Sequence, residues 1–159
     1  MEYLSKECHD RLAAELNRLI SVEYPQVKDA LSESRAQGDL SENAGYRAAR
    51  TAQAKMISRI RFLQNVLKYS RVIDTDSLPK DRVSLLSKVS LTDLDGGGKM
   101  EFTIVSPHEM NLEEGKISLK SPIGQALMGR KAGDSVEVNA PARTLHLRID
   151  DIFTPGQNE

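Results

Sequence analysis

Residues 38–43 read GDLSEN and separate two long stretches of helical sequence. Before this segment, apolar residues recur at the steps of three and four that mark one face of an α-helix: Leu12, Leu16, Leu19, Ile20, Val27, Ala30 and Leu31. After it, the same spacing resumes with Ala48, Ala52, Met56, Ile60, Leu63, Val66 and Leu67. Two amphipathic helices joined by a short glycine-containing segment predict an antiparallel coiled-coil hairpin, in which each apolar face covers the other. Pro25 should bend or divide the first helix near Tyr24.

The second half of the chain has the period-two alternation of β-strands. It is clearest in SKVSLTDLDGGGKMEFTIVSP (87–107) and ARTLHLRIDDIF (142–153). SPIGQALMG (121–129) reads as one short helix, with Pro122 at its first position and Gly129 at its end. The sequence predicts an α+β protein: a helical finger over residues 1–74 with its tip at 38–43, a linker at 75–81, and a small antiparallel-sheet domain over 82–159.

Composition bounds the classes of function. A net charge of −1 gives no bulk attraction to nucleic acid or to an anionic membrane. The single cysteine, Cys8, cannot form an internal disulfide, and no apolar run is long enough to span a membrane or serve as a signal peptide. We expect a soluble, cytoplasmic monomer. Within it, residues 44–73 carry seven Lys or Arg and no acid, which indicates either a solvated helix face or a surface that meets phosphates.

Asp39 and Glu42 place two carboxylates at the break between the helices. Their spacing is that of a capping box, in which each side chain would bond the other residue's backbone N–H. Ser41 could cap the second helix instead and leave Asp39 free. Carboxylate oxygens are also the ligands that Mg²⁺ prefers, and either group could accept a proton from an attacking water.

Other motifs carry no chemistry. A structural zinc site is not indicated, because Cys8 has no set of zinc ligands around it in sequence and the three histidines are widely scattered: His9, His108 and His146. Gly96-Gly97-Gly98 lacks the lysine and helix of a phosphate-binding loop. Ser121 has no histidine or acid placed to activate it.

Three segments resemble the GreA/GreB family of bacterial transcript cleavage factors, and most closely its GreA branch: GDLSENAGYRAAR (38–50), RVIDTDSLP (71–79) and SPIGQALMGRKAGDSVEV (121–138). The resemblance implies a coiled coil that enters the secondary channel of bacterial RNA polymerase. It also implies a C-terminal domain similar to FK506-binding proteins, and the DNA binding associated with transcription factors. The chain would be an accessory to the polymerase's own cleavage of backtracked RNA, not an enzyme by itself.

The same resemblance assigns roles to individual residues. Asp39 and Glu42 would be catalytic and would bind an active-site Mg²⁺ only together with polymerase groups; the chain would have no cofactor of its own. Arg47 and Arg50, the basic residues nearest the tip, are candidates for contacting the RNA 3′ segment. Ser41, Asn43 and Tyr46 would support the tip, although an interhelix contact explains Tyr46 equally well. Ser121, Pro122, Ile123 and Gly124 would dock on polymerase, although Ser121 and Pro122 also suit simple helix capping.

One position departs from the family pattern. Gly45 stands where the family commonly has a further acid, which leaves the strength of cleavage open. An alternative function is therefore a secondary-channel regulator that modulates or inhibits polymerase without cleavage. A third, a chaperone-like or isomerase module, is disfavoured because the second half has only Phe102 and Phe153 to form an aromatic proline pocket.

Overall fold

The structure is a computed structural model that describes residues 2–36 and 43–155. It divides into two compact units. Unit 1 consists of Met1–Glu2 and Lys6–Arg71, and unit 2 consists of Tyr3–Ser5 and Val72–Glu159.

The first helical stretch of unit 1 is continuous through Pro25. It comprises α1 (Lys6–Arg18), a π-helical turn (Leu19–Glu23) and α2 (Tyr24–Ala36). Tyr24 N donates to Leu19 O, and both flanking residues keep helical backbone angles. Of the two predicted effects of Pro25, a bend or a division near Tyr24, the division does not occur; the helix instead changes from a π-helical turn to α2 at Tyr24. A wider turn before the proline reconciles its missing N–H with an unbroken helix.

The second helix, α3 (Ala44–Tyr69), runs antiparallel to the first stretch. Its start contacts Ser34 and its middle contacts Glu15, so the two chain directions oppose each other. The predicted apolar faces are buried at Leu12, Leu19, Leu31, Leu63 and Val66. Ile20, Ala30 and Ala48 are exposed instead, and Ala49 is buried in place of Ala48.

Short strands follow and precede the helices. β1 (Glu2–Leu4) pairs with β2 (Ser70–Val72) in a two-stranded sheet that the sequence analysis did not anticipate. Within the segment predicted as a linker, Thr75–Ser77 forms a 3₁₀ turn, and the Asp74 side chain accepts a hydrogen bond from Asp76 N.

Unit 2 is built on a five-stranded sheet with the order β5-β4-β3-β7-β6. The strands are β3 (Lys88–Asp93), β4 (Lys99–Val105), β5 (Lys116–Ser118), β6 (Ser135–Asn139) and β7 (Thr144–Phe153). The predicted α+β class is confirmed. The sheet is mixed, because β5 runs parallel to β4 while the other pairs are antiparallel.

The single helix predicted for the second half is α4 (Pro122–Leu127), whose Leu127 is fully buried in the core. The rest of that core comes from alternate residues of the strands, including Val89, Leu91, Ile104, Leu147 and Ile149. In residues 2–36 and 43–155, no helix is both long and apolar enough to cross a membrane.

Candidate functional site

The predicted site falls on the segment that joins α2 to α3. Asp39, Ser41 and Glu42 lie outside the described residues. The described part of the site is therefore the two helix ends that flank them: the last turn of α2, with Ser34 and Arg35, and the first turns of α3.

Asn43 occupies the N-cap of α3. Its Oδ1 accepts a hydrogen bond from Tyr46 N at 3.0 Å, in the manner of a neutral N-cap. α3 begins at Ala44 and its N-cap is Asn43, whereas the sequence analysis proposed Asp39 or Ser41 as the cap. The signal was available in the sequence, since Asn43 immediately precedes the residue at which the helical spacing resumes.

The same side chain also contacts the other helix. Asn43 Nδ2 donates to the carbonyl oxygen of Ser34 at 2.7 Å. Ser34 lies in the last described turn of α2. One amide group therefore satisfies a donor of α3 and an acceptor of α2.

Tyr46 and Gly45 lie beside this amide. The Arg35 guanidinium lies 5.8 Å from the centre of the half-buried Tyr46 ring. Tyr46 therefore makes the interhelix contact that the sequence analysis gave as one of its two possible roles. A Cβ atom at Gly45 would lie 3.3 Å from Asn43 Oδ1 and 3.5 Å from Ser34 Oγ. Gly45 therefore lies near Ser34 of α2, and a side chain at position 45 would contact both Asn43 and Ser34.

The two arginines predicted to meet RNA are both exposed. Arg47 and Arg50 lie on the first turns of α3, and Arg50 Nη1 is 3.5 Å from Gln53 Oε1. Residues 43–73 contain no Asp or Glu, so no carboxylate of α3 itself can neutralise the charge of these two arginines.

Arg59, another of the basic residues in 44–73, forms an ion pair with α1. Its Nε and Nη2 donate to the two carboxylate oxygens of Glu15 at 2.7 and 2.8 Å. The hydrogen bonds from Arg59 lower the pKa of Glu15 below its ordinary value, while partial burial opposes this shift. Such a bidentate pair fixes the register of α1 against α3.

Ser121–Gly124 forms the start of α4. Ser121 Oγ accepts from Gly124 N at 3.1 Å and donates to Ser118 O at 2.7 Å, so Ser121 is the N-cap. Gly124 is buried, and a Cβ there would lie 2.3 Å from Ser118 O. Ile123 packs against the core, which leaves Pro122 as the exposed member of this predicted docking segment.

Within the described ranges there is no group of three or more His, Cys, Asp or Glu residues that could hold a metal ion. Asp39 and Glu42, the metal ligands predicted from the sequence, lie outside these ranges. Two carboxylates cannot by themselves complete the coordination of Mg²⁺, which demands near-octahedral geometry and gives up water reluctantly.

Comparison with known families accounts for both units. The family model "Transcription elongation factor, N-terminal" matches residues 2–72, and "Transcription elongation factor, GreA/GreB, C-term" matches residues 78–153. These matches define a transcription elongation factor in two parts.

Individual relatives agree along nearly the whole length. Transcription elongation factor GreA of Prosthecochloris aestuarii is 42% identical over 153 residues, covering 95% of this chain and 96% of the relative. GreA of Rhodospirillum rubrum is 48% identical over 131 residues, which cover 82% of this chain and 83% of the relative. Among solved structures, GreA factor homolog 1 (Gfh1) of Thermus thermophilus is 28% identical, with a TM-score of 0.46, covering 96% of this chain and 98% of that one.

The chain belongs to the GreA/GreB family. The predictions of the family and of a transcription elongation factor of the transcript cleavage type are confirmed. So is the prediction that the chain stimulates cleavage by polymerase and is not itself the enzyme.

Proposed function

We propose that this protein enters the secondary channel of bacterial RNA polymerase and promotes cleavage of backtracked RNA through Asp39 and Glu42. Membership of the GreA/GreB family, with both carboxylates present in the GDLSEN segment, carries the proposal. In this setting the chain acts in the cytoplasm, as a monomer, and its partners are the polymerase and the 3′ segment of the nascent RNA.

The proposed chemistry follows from the small number of ligands. Asp39 and Glu42 would share an Mg²⁺ ion with acids of the polymerase and with an RNA phosphate, because two carboxylates are too few to hold it alone. The ion would stabilise the charge that develops on the reacting phosphate. The chain's part is to add oxygen ligands, and to offer a carboxylate that accepts a proton from the attacking water.

The basic surface near the tip would serve the RNA. Arg47 and Arg50 are exposed on the first turns of α3, and residues 43–73 carry no acid that would repel phosphates. We assign these two arginines to the extruded 3′ segment. In unit 2, Pro122 is the exposed residue of the Ser121–Gly124 segment, and we assign polymerase docking to it.

A second candidate function is supported by Gly45. The family commonly has a further acid there, so this chain carries less negative charge near its tip. A factor that occupies the channel and modulates polymerase without cleavage would bind normally but release no RNA fragment.

The deciding experiment measures RNA cleavage in stalled, backtracked elongation complexes. Asp39→Asn and Glu42→Gln should each nearly abolish stimulated cleavage and leave polymerase binding intact. Asp29→Asn and Glu33→Gln are matched controls, because they remove one exposed acid from α2 by the same chemical change. Normal cleavage by both tip variants would contradict the proposal. Binding by the wild-type protein without any cleavage would favour the regulator.

The role of the metal has its own readout in the same assay. The wild-type protein should lower the Mg²⁺ concentration that gives half-maximal cleavage, and Glu42→Gln should lose most of this effect. An Mg²⁺ midpoint that the wild-type protein leaves unchanged would restrict the carboxylates to accepting protons.

A further inference from the structure

The amide of Asn43 joins the two helix ends between which Asp39 and Glu42 lie in sequence. We propose that Asn43 is a positioning residue for these carboxylates, through its bond to the carbonyl of Ser34. This proposal rests on the function proposed above, because it assumes that Asp39 and Glu42 take part in cleavage.

The choice of side chain supports the assignment. Serine, threonine and aspartate cap helices about as well as asparagine, because an N-cap needs only an acceptor. Aspartate has no donor at the pH of the cell, and serine and threonine must donate and accept through one oxygen atom on a shorter side chain. An amide carries the donor and the acceptor on two separate atoms of one rigid plane. Asn43 uses both, with Oδ1 on Tyr46 N at 3.0 Å and Nδ2 on Ser34 O at 2.7 Å.

The surroundings of the amide favour the same geometry. A Cβ at position 45 would press on Asn43 Oδ1 at 3.3 Å and contact Ser34 Oγ at 3.5 Å, so Gly45 leaves the amide room. Arg35 lies over the ring of Tyr46, one turn away, and makes a second contact between the same two helix ends. Gly45, the departure from the family pattern, is thus compatible with a close junction of α2 and α3.

The consequence for the carboxylates follows from chain connectivity. Glu42 directly precedes Asn43, and Asp39 is the third residue after Ala36. Fixing both ends of a short segment reduces the number of conformations it can adopt. Reacting groups that are misplaced by about 1 Å can lose about 100-fold in rate, so this restriction should act on the cleavage step.

Three substitutions separate capping from bridging. Asn43→Ser keeps a neutral cap and removes Nδ2, the amide nitrogen that donates to Ser34 O, leaving only one hydroxyl on a shorter side chain. Asn43→Asp also keeps the cap and loses the donor, and it adds a charge. Asn43→Ala loses both functions.

The assay is cleavage in backtracked elongation complexes over a range of factor concentrations. All three variants should lower the maximal cleavage rate about tenfold and change the half-saturating concentration by less than about twofold, because misplacement affects the chemical step more than docking. Asn65→Ser is a control that makes the same chemical change at an exposed position of the same helix, and it should change neither quantity.

A readout independent of activity is backbone hydrogen exchange. Asn43→Ser should speed exchange in the peptides that cover residues 31–36 and 44–50, and leave exchange in unit 2 unchanged. A purely capping role would leave residues 31–36 unaffected.

The outcomes distinguish this proposal from the one it rests on. If only Asn43→Ala lowers the rate, the cap alone matters and the bridging role is overturned; it is also overturned if none of the three does. If Asp39→Asn and Glu42→Gln retain full cleavage, the proposed function fails and the positioning role fails with it. Loss of cleavage in those two variants together with normal cleavage in Asn43→Ser removes only the positioning role.

Discussion

Leu63 is a large apolar residue of α3, and its side chain is fully buried, with 0% of its surface exposed. In the described residues of unit 1, α1 and α2 both pack against α3, so truncating Leu63 should leave a cavity between the helices. Replacement of a buried leucine by alanine costs about 2–5 kcal/mol of unfolding free energy. Leu67, which the sequence analysis grouped with it, is only half-buried, and Leu67→Ala should cost about 1 kcal/mol.

The assay is urea unfolding followed by circular dichroism at 222 nm and by tyrosine fluorescence. Both signals report mainly on unit 1, because it contains α1 to α3 and three of the four tyrosines, Tyr24, Tyr46 and Tyr69. With an m-value of about 1 kcal/mol/M, a loss of about 3 kcal/mol moves the midpoint by about 3 M.

Leu112→Ala is the matched control, because Leu112 is 73% exposed and should change the free energy by less than about 0.5 kcal/mol. A midpoint for Leu63→Ala no lower than that of Leu112→Ala would refute the packing of α3 on α1 as the core of this unit.

Three further predictions follow, two for unit 2 and one for the interhelix ion pair. Gly124→Ala should destabilise unit 2 by about 1–3 kcal/mol, because the added Cβ would meet the carbonyl oxygen of Ser118. Pro122→Ala should weaken polymerase binding with little change in melting temperature. Pro107→Ala is the control for both measurements, because Pro107 is also exposed and also begins a helical turn. The hydrogen bonds from Arg59 hold the pKa of Glu15 below its ordinary value in the folded chain. The pair therefore stabilises unit 1 at pH values above that ordinary value, and the contribution is lost as the pH falls through the lowered pKa. The pair is partly exposed and should contribute about 0.2–1 kcal/mol, and Arg59→Gln should flatten the acid limb of stability against pH; an unchanged acid limb would exclude the pair as its origin.

The apolar faces of the helices were predictable because helical spacing is a local property of the sequence. The prediction fails beside the π-helical turn, where Ile20 and Ala30 are exposed. A π turn takes up one extra residue, and each residue of an α-helix turns by about 100°, so residues on either side of it no longer share one face. Periodicity alone does not reveal where that extra residue enters.

The parallel pairing of β5 with β4 was not predictable for a related reason. Alternation shows which residues face the core, and it is the same for either strand direction. The direction depends on the connection between β4 and β5, which contains two 3₁₀ turns, Pro107–Glu109 and Leu112–Glu114. This connection returns the chain towards the beginning of β4, so β5 runs parallel to it.

The cap of α3 shows the limit of local chemistry at the candidate site. Asp39, Ser41 and Asn43 all have side chains that cap helices, and all precede the same helical pattern. The position of Asn43 directly before the resumed helical spacing favours it as the cap. Its second contact, with Ser34 nine residues away on another helix, is a tertiary contact that the order of capping residues does not reveal.

The way unit 1 is held together bears on what substitutions at its tip can do. Its large, fully buried side chain on α3, Leu63, lies five turns from Asn43, whereas the first turns of α3 bury only the small Ala49. At the Asn43 end, the described contacts between the helices include one amide hydrogen bond and one cation–π contact, each of which contributes about 1 kcal/mol. This end should therefore open locally at lower free energy than the middle of the unit. Changes near the tip then alter the placement of Asp39 and Glu42 well before they threaten the fold, so the rate of cleavage is the sensitive measure of this part of the molecule.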